Sequence, residues 1–122
     1  MFCERHIIKG VKLAKYSDVR RAKISAIAFT PNGNVIAMAT NKRIDGHPSK
    51  FTEHAEEALV RKLIKLNATN RYDKIIILVL RVNKAGLALA KPCKMCQWHL
   101  NRLPKSKVVV CYSNNLHQIE NM

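Results

Sequence analysis

Residues 74–82 read KIIILVLRV, a continuous apolar run rich in β-branched side chains. It lacks the alternation of a strand with one wet face, so it predicts a strand covered on both sides, as in the parallel part of an α/β sheet. The flanks agree. Ahead of it, Ala55, Ala58, Leu59, Leu63 and Leu66 recur at helical spacing, which predicts a helix from near His54 to about Leu66. Behind it, NKAG (83–86) breaks the run, and a further helix opens at Pro92–Cys93, because proline suits a first helical turn. That helix runs to about Leu103 and stops before Pro104. KVVVCYS (107–113) is a second buried strand, placed parallel to the first by a right-handed helical crossover.

Working toward the N-terminus, NKRIDGHPSKFTE (41–53) has the composition of a loop. KISAIAFT (23–30) and NVIAMAT (34–40) flank PNGN, and Asn-Gly between β-prone runs is a hairpin signal. Residues 5–16 set Ile7, Ile8, Val11 and Ala14 on one helical face with lysines opposite. The order is helix, hairpin, helix, strand, helix, strand. It predicts an α/β fold, a mixed sheet of about four strands with helices on both faces.

With 122 residues the chain is expected to be one domain, residues 1–122, with a core sufficient to fold without disulfides. No apolar run approaches the roughly 20 residues of a membrane helix, and MFCERHIIKGVK is charged where a secretory signal is apolar. A cytoplasmic setting without a membrane partner is therefore expected, with reduced thiols. Cys3, Cys93, Cys96 and Cys111 then read as ligands or core residues. The 22 Lys plus Arg against 8 Asp plus Glu give a net charge of +14, which repels itself unless a polyanion or counterions offset it. Basic residues gather at Arg5, Lys9, Lys12, Lys15, Arg20, Arg21 and Lys23, and again at Arg61, Lys62 and Lys65. This suits contact with the phosphates of a polynucleotide or free nucleotide; the plainer reading is a solvated lysine surface.

The chemistry lies in KPCKMCQ (91–97) and HAE (54–56). Cys93 and Cys96, at i and i+3, project from one face of the first helical turn, where the positive end of the helix dipole favours thiolates. Alone, the pair fits a redox dithiol, two ligands of a structural zinc, or part of a catalytic site. His54 and Glu56 begin the helix before the central strand, as Cys93 begins the helix after it. The two helix starts can meet at one sheet edge and bring His54, Cys93 and Cys96 around one zinc ion. Three protein ligands and an open fourth position are the catalytic pattern, whereas a structural site is closed by four. Glu56 is then placed to act on what fills the open position.

HAE followed by PCKMC (92–96) matches the H-x-E…P-C-x-x-C pattern of zinc-dependent nucleobase deaminases. The chain thus resembles the cytidine and deoxycytidylate deaminase superfamily over roughly residues 24–113. With histidine as first ligand it is similar to the deoxycytidylate, polynucleotide cytosine and tRNA adenosine branches. The resemblance implies a three-layer sandwich, although NNLHQIENM (114–122) is too short for the further helix and strand usual in the family. It implies that Glu56 moves protons between water, a ring nitrogen and the departing amine, as water attacks the carbon bearing that amine. It also implies that the backbone N–H of Ala55 holds the base and the Lys91 carbonyl receives the amine; the similarity of NVIAMATNKRIDGHPSKFTEHAE (34–56) to the segment leading into the site of tRNA adenosine deaminases implies that Asn41 contacts the sugar.

The implied reaction is conversion of cytosine to uracil, in single-stranded nucleic acid on the strength of the charge, or in a free nucleotide such as dCMP or in cytidine. Adenosine deamination in tRNA is a further branch. A reading from another class is a non-catalytic, zinc-stabilised nucleic-acid-binding module, which needs a fourth ligand such as Cys111 or Cys3. Phe51 and Tyr112 are candidates to stack on a base, with core packing the alternative for each. His6, His47, His99 and His117 have no partner spacing and read as surface or structural. Cys111 reads as core, Cys3 as a free thiol, and Trp98 and Leu100 as core or interface residues. A homo-oligomer is compatible with all of these readings.

Overall fold

The computed structural model describes residues 4–17, 23–43, 52–83, 86–114 and 118–122. The predicted positions Phe51, His47, His117, Cys3, Arg20 and Arg21 lie outside the described residues.

The first helix, α1 (Glu4–Ala14), is followed by β1 (Lys23–Phe29) and β2 (Val35–Thr40), an antiparallel hairpin. The Pro-Asn-Gly-Asn turn is closed by Gly33 N–H donating to the Thr30 carbonyl at 2.8 Å. Gly33 takes φ 92° there, a left-handed conformation that a side chain would strain. Two short strands, β3 (Lys42–Arg43) and β4 (Thr52–Glu53), pair antiparallel where a plain loop was expected. Next come α2 (Ala55–Lys65), the single turn α3 (Ala68–Arg71) and the central strand β5 (Ile75–Asn83). β5 pairs antiparallel with β1 on one side and parallel with β7 (Val108–Ser113) on the other. The apolar run 75–80 is buried throughout, as a strand covered on both faces requires.

The sheet is larger than the four strands expected. β6 (Gly86–Ala88) folds back on β5, and β8 (Ile119–Asn121) pairs antiparallel with β7. The main path runs β2-β1-β5-β7-β8, with β6 beside the end of β5. Both additions are three residues long, too short to carry a legible alternation; NNLHQIENM thus supplies a small further strand. Between β6 and β7 lies α4 (Lys94–Leu100), shorter than the Pro92–Leu103 span predicted. Proline's missing N–H costs nothing ahead of a helix, so Pro92 sits just outside it, and Cys93 is the N-cap.

Helices cover both faces. On one, α2 and the end of α4 pack Ala58, Leu59, Leu63, Leu100 and Leu103 against Ala26, Ile75, Ile77 and Val79. On the other, Ile7, Val11 and Leu13 of α1 meet Ile27, Phe29, Leu78 and Leu80. α1 sits close because residue 10 is glycine, whose carbonyl accepts a hydrogen bond from Ser25 Oγ at 2.7 Å. A methyl at Gly10 would overlap the Leu80 Cδ1 methyl, and Leu80 is fully buried. Gly10→Ala should therefore destabilise the protein by about 1–3 kcal/mol despite alanine's better helix propensity. Urea denaturation of the two proteins measures this; a variant as stable as the parent would mean that Leu80 moves aside freely.

Candidate active site

α2 enters the fold ahead of β5, with only the single turn α3 between them, and α4 leaves after the β5–β6 hairpin; the two helices pack against each other on one face of the sheet. Their N-caps are His54 and Cys93. N-cap side chains usually accept a hydrogen bond from the first helical turn, but both residues are extended and neither caps its helix. They point to each other instead. His54 Nδ1 lies 3.8 Å from Cys93 Sγ and 3.1 Å from Cys96 Sγ. All three ligand atoms fall within 4.8 Å of one another. Zinc–sulfur bonds of about 2.3 Å and zinc–nitrogen bonds of about 2.0 Å in a tetrahedron set such atoms about 3.5 Å apart. The donor set, one imidazole and two thiols, and this spacing fit zinc, and His54, Cys93 and Cys96 are positioned as a metal site.

Among the described residues no further histidine, cysteine or carboxylate joins that group. Cys111, a possible fourth ligand, belongs to the cluster beneath α1, and its thiol donates to Asn121 Oδ1 at 3.2 Å. It is the core residue expected.

Glu56 lies in the first turn of α2 and is only 4% exposed. Its Oε1 has no hydrogen-bond partner among the described residues, a costly state for a carboxylate. Burial pushes its pKa above the ordinary carboxylate range, partly offset by its own backbone N–H, His54 and Cys96. Burial likewise pushes the Cys96 thiol up, and the nearby Glu56 and Cys93 add to the rise. A coordinating metal would deprotonate such a thiol.

The remaining predicted positions divide. Ala55 is fully buried at the start of α2. Lys91 is exposed, and its carbonyl precedes Pro92 at the entry to α4. Asn41 is buried, with its side-chain oxygen accepting from Ser17 Oγ (2.6 Å) and Ile24 N–H (3.0 Å). Tyr112, at 7% exposure, belongs to the core cluster beneath α2, which agrees with the core-packing alternative of its two readings. Leu100 is core, and Trp98 is exposed. His6 is buried, stacked on Phe29 with centroids 4.2 Å apart, and its Nε2 meets the Gly33 carbonyl at 3.0 Å.

Two supporting residues escaped the sequence reading. Gln97 Nε2 donates to the Pro92 carbonyl at 2.8 Å, bracing the peptide that leads into Cys93. Ser113, at the end of β7, donates to the Ala88 carbonyl (2.6 Å) and accepts from Arg81 N–H (3.2 Å). Its own carbonyl accepts from Ala90 N–H at 2.8 Å, so it fastens the segment that carries Lys91. Only Gln97 left a trace in sequence, as a polar residue four positions after Cys93 and hence on its side of the helix.

Comparison with known proteins accords with this geometry. The family described as "cytidine and deoxycytidylate deaminase zinc-binding region" matches residues 3–112. Cytidine deaminase from Burkholderia pseudomallei superposes with a TM-score of 0.66 at 16% identity, covering 98% of this chain and 91% of that one. The dCMP deaminase of cyanophage S-TIM5 gives 0.66 at 21% identity, over 92% and 82%. Cytidine deaminase from Mycobacterium leprae gives 0.62 at 15% identity, over 98% and 93%. At these identities the likeness is one of fold. No curated protein sequence matches the chain significantly.

Replacing His54, Cys93 or Cys96 with alanine should abolish stoichiometric zinc on metal analysis of purified protein. Gln97→Ala should keep zinc but yield it to a chelator about tenfold more readily, the usual effect of losing an outer support. Full zinc in a Cys96→Ala protein would refute the assignment.

Proposed function

The chain belongs to the cytidine and deoxycytidylate deaminase family and is a zinc-dependent hydrolytic deaminase; on that premise we propose that it converts cytosine to uracil, with Glu56 as the proton carrier. The observation that carries the proposal is the buried, unpartnered Oε1 of Glu56 beside His54 and Cys96. His54, Cys93 and Cys96 would hold zinc, which would supply the acidification of the attacking water. Glu56 takes a proton from the attacking water and delivers it to the ring nitrogen next to the reacting carbon. It then takes the remaining hydroxyl proton of the adduct and passes it to the exocyclic amine, whose bond to the ring carbon breaks, so that cytosine and water become uracil and ammonia. A desolvated carboxyl with a raised pKa suits both halves of that exchange, since it holds a proton more readily than an ordinary carboxylate. Ala55 N–H holding the base, the Lys91 carbonyl receiving the amine and Asn41 touching the sugar are proposed on the family resemblance.

Charge alone favoured cytosine in single-stranded nucleic acid. The similar structures named above are deaminases of cytidine and dCMP, and the cyanophage protein has also been solved in complex with dCMP and dUMP. A free cytidine nucleotide, dCMP in particular, is therefore the first substrate proposed. The net charge of +14 keeps cytosine in a single strand as the second.

Zinc-loaded protein incubated with dCMP, cytidine and short cytosine-bearing oligonucleotides should raise the mass of its substrate by about one unit per event. Turnover of dCMP with untouched oligonucleotides selects the first substrate; the reverse selects the second. Glu56→Gln should lower kcat by about 100- to 10,000-fold while leaving zinc content unchanged. A Glu56→Gln enzyme of near-normal activity would remove the carboxylate from the mechanism.

A further inference from the structure

We infer that the outer face of α4 is a binding surface for single-stranded nucleic acid, distinct from the metal site and independent of which cytosine substrate the enzyme takes. α4 is sharply two-sided. Cys96 and Leu100, with Leu103 just beyond, face inward and are buried, whereas Met95 and Trp98 are 64% and 63% exposed. Lys94, Met95, Trp98 and Arg102 follow one another at helical spacing along the outer strip, and all four are exposed. The Arg102 guanidinium lies over the Trp98 ring, 5.7 Å from its centroid, and the His99 ring meets it edge-on at 5.0 Å. His99 and Arg102 also line a groove of about 220 Å³ against α2, which contributes Glu57, Val60, Arg61 and Ile64.

Charge decides what this face can take. From Lys74 to Ile119 the sequence contains eight lysines and arginines and no aspartate or glutamate. Among the described residues the only ion pair is Arg61–Glu53, at 2.6 Å, so the cations of α4 meet no carboxylate of their own. A second copy of the chain would bring another +14 to a face where Lys94 and Arg102 outnumber the one groove carboxylate, Glu57. A duplex presents phosphates but hides its base faces. A single strand offers both complements, phosphates for Lys94 and Arg102 and unstacked bases for the indole, the pairing of cationic groove and aromatic platform used by single-strand binders.

Trp98 is the sole tryptophan in the chain, so intrinsic indole fluorescence reports on this surface alone. The zinc-loaded protein is titrated with an oligodeoxythymidylate of about 16 nucleotides. Thymine has no exocyclic amine, so binding is measured where no deamination can occur, and the outcome does not depend on the proposed activity. Saturable quenching is expected, with affinity falling steeply as salt rises. Anisotropy of a labelled oligonucleotide should show Trp98→Ala binding about tenfold more weakly and Trp98→Phe close to wild type. Excess dCMP should not displace the oligonucleotide. Zinc content equal to the parent's certifies each variant as folded, and Trp98→Phe, which keeps a ring, gives a second reading should the alanine protein fail. The inference is overturned if Trp98→Ala binds like the parent, if Trp98→Phe loses binding as the alanine variant does, if dCMP competes, if binding ignores salt, or if fluorescence shifts with protein concentration instead of with oligonucleotide.

Discussion

Burial of β5 on both faces is the constraint from which the site follows. A strand apolar at every position from Ile75 to Leu80 cannot leave either side to water. One side is closed by α1 and the other by α2 and α4. Because β7 runs parallel to β5, the chain must cross back over the sheet between them, and α4 lies in that crossing. The helix entering before β5 and the one leaving after it are thus held in one layer, with His54 and Cys93 at their first ends. The topology accounts for their proximity before any metal is invoked; residue chemistry then decides what the meeting point does.

That meeting point breaks several local rules at once. Two N-cap positions hold side chains that do not cap, and a glutamate in a first turn is buried with an unpartnered oxygen. Elsewhere the polar groups of the core are tied down, as with the Ser25 hydroxyl on the Gly10 carbonyl and Ser113 on Ala88. Each violation costs stability, and each is explained by a ligand or proton that the site must handle. Gln97 and Ser113 have the opposite character. They spend ordinary hydrogen bonds to hold Pro92 and Ala90 still, and so convert a short loop into a rigid approach to Cys93.

Long periodic segments were legible in the sequence because their patterns repeat often enough to exclude alternatives. The β5 run, the α2 spacing and the β1–β2 turn at Gly33 carry the fold, and HAE with PCKMC carries the metal ligands. β6 and β8 were not legible, since three residues hold no period and their pairing is decided by neighbours distant in sequence. The raised thiol of Cys96 was not legible either, since desolvation depends on what packs around the sulfur. Tyr112 was ambiguous in sequence, since both a packed and a stacking tyrosine end an apolar strand; the surrounding helices decide it.

Charge is the remaining property that the fold does not explain. Net +14 contributes nothing to packing and opposes compaction, and few of the lysines and arginines are used internally. Lys62 reaches the Met38 carbonyl, Lys107 the Thr69 carbonyl and Lys23 the Ser17 carbonyl; these contacts satisfy donors without neutralising charge. A monophosphate substrate carries too little charge to offset such an excess, and the metal site needs none of it, because two thiolates already balance a dication. The excess is distributed over outer surfaces, among them the face of α4 that also exposes Trp98 and Met95. An aromatic ring left in water beside unbalanced cations is explained by neither the core nor the catalytic residues; a polyanion with flat, apolar faces satisfies both features at once.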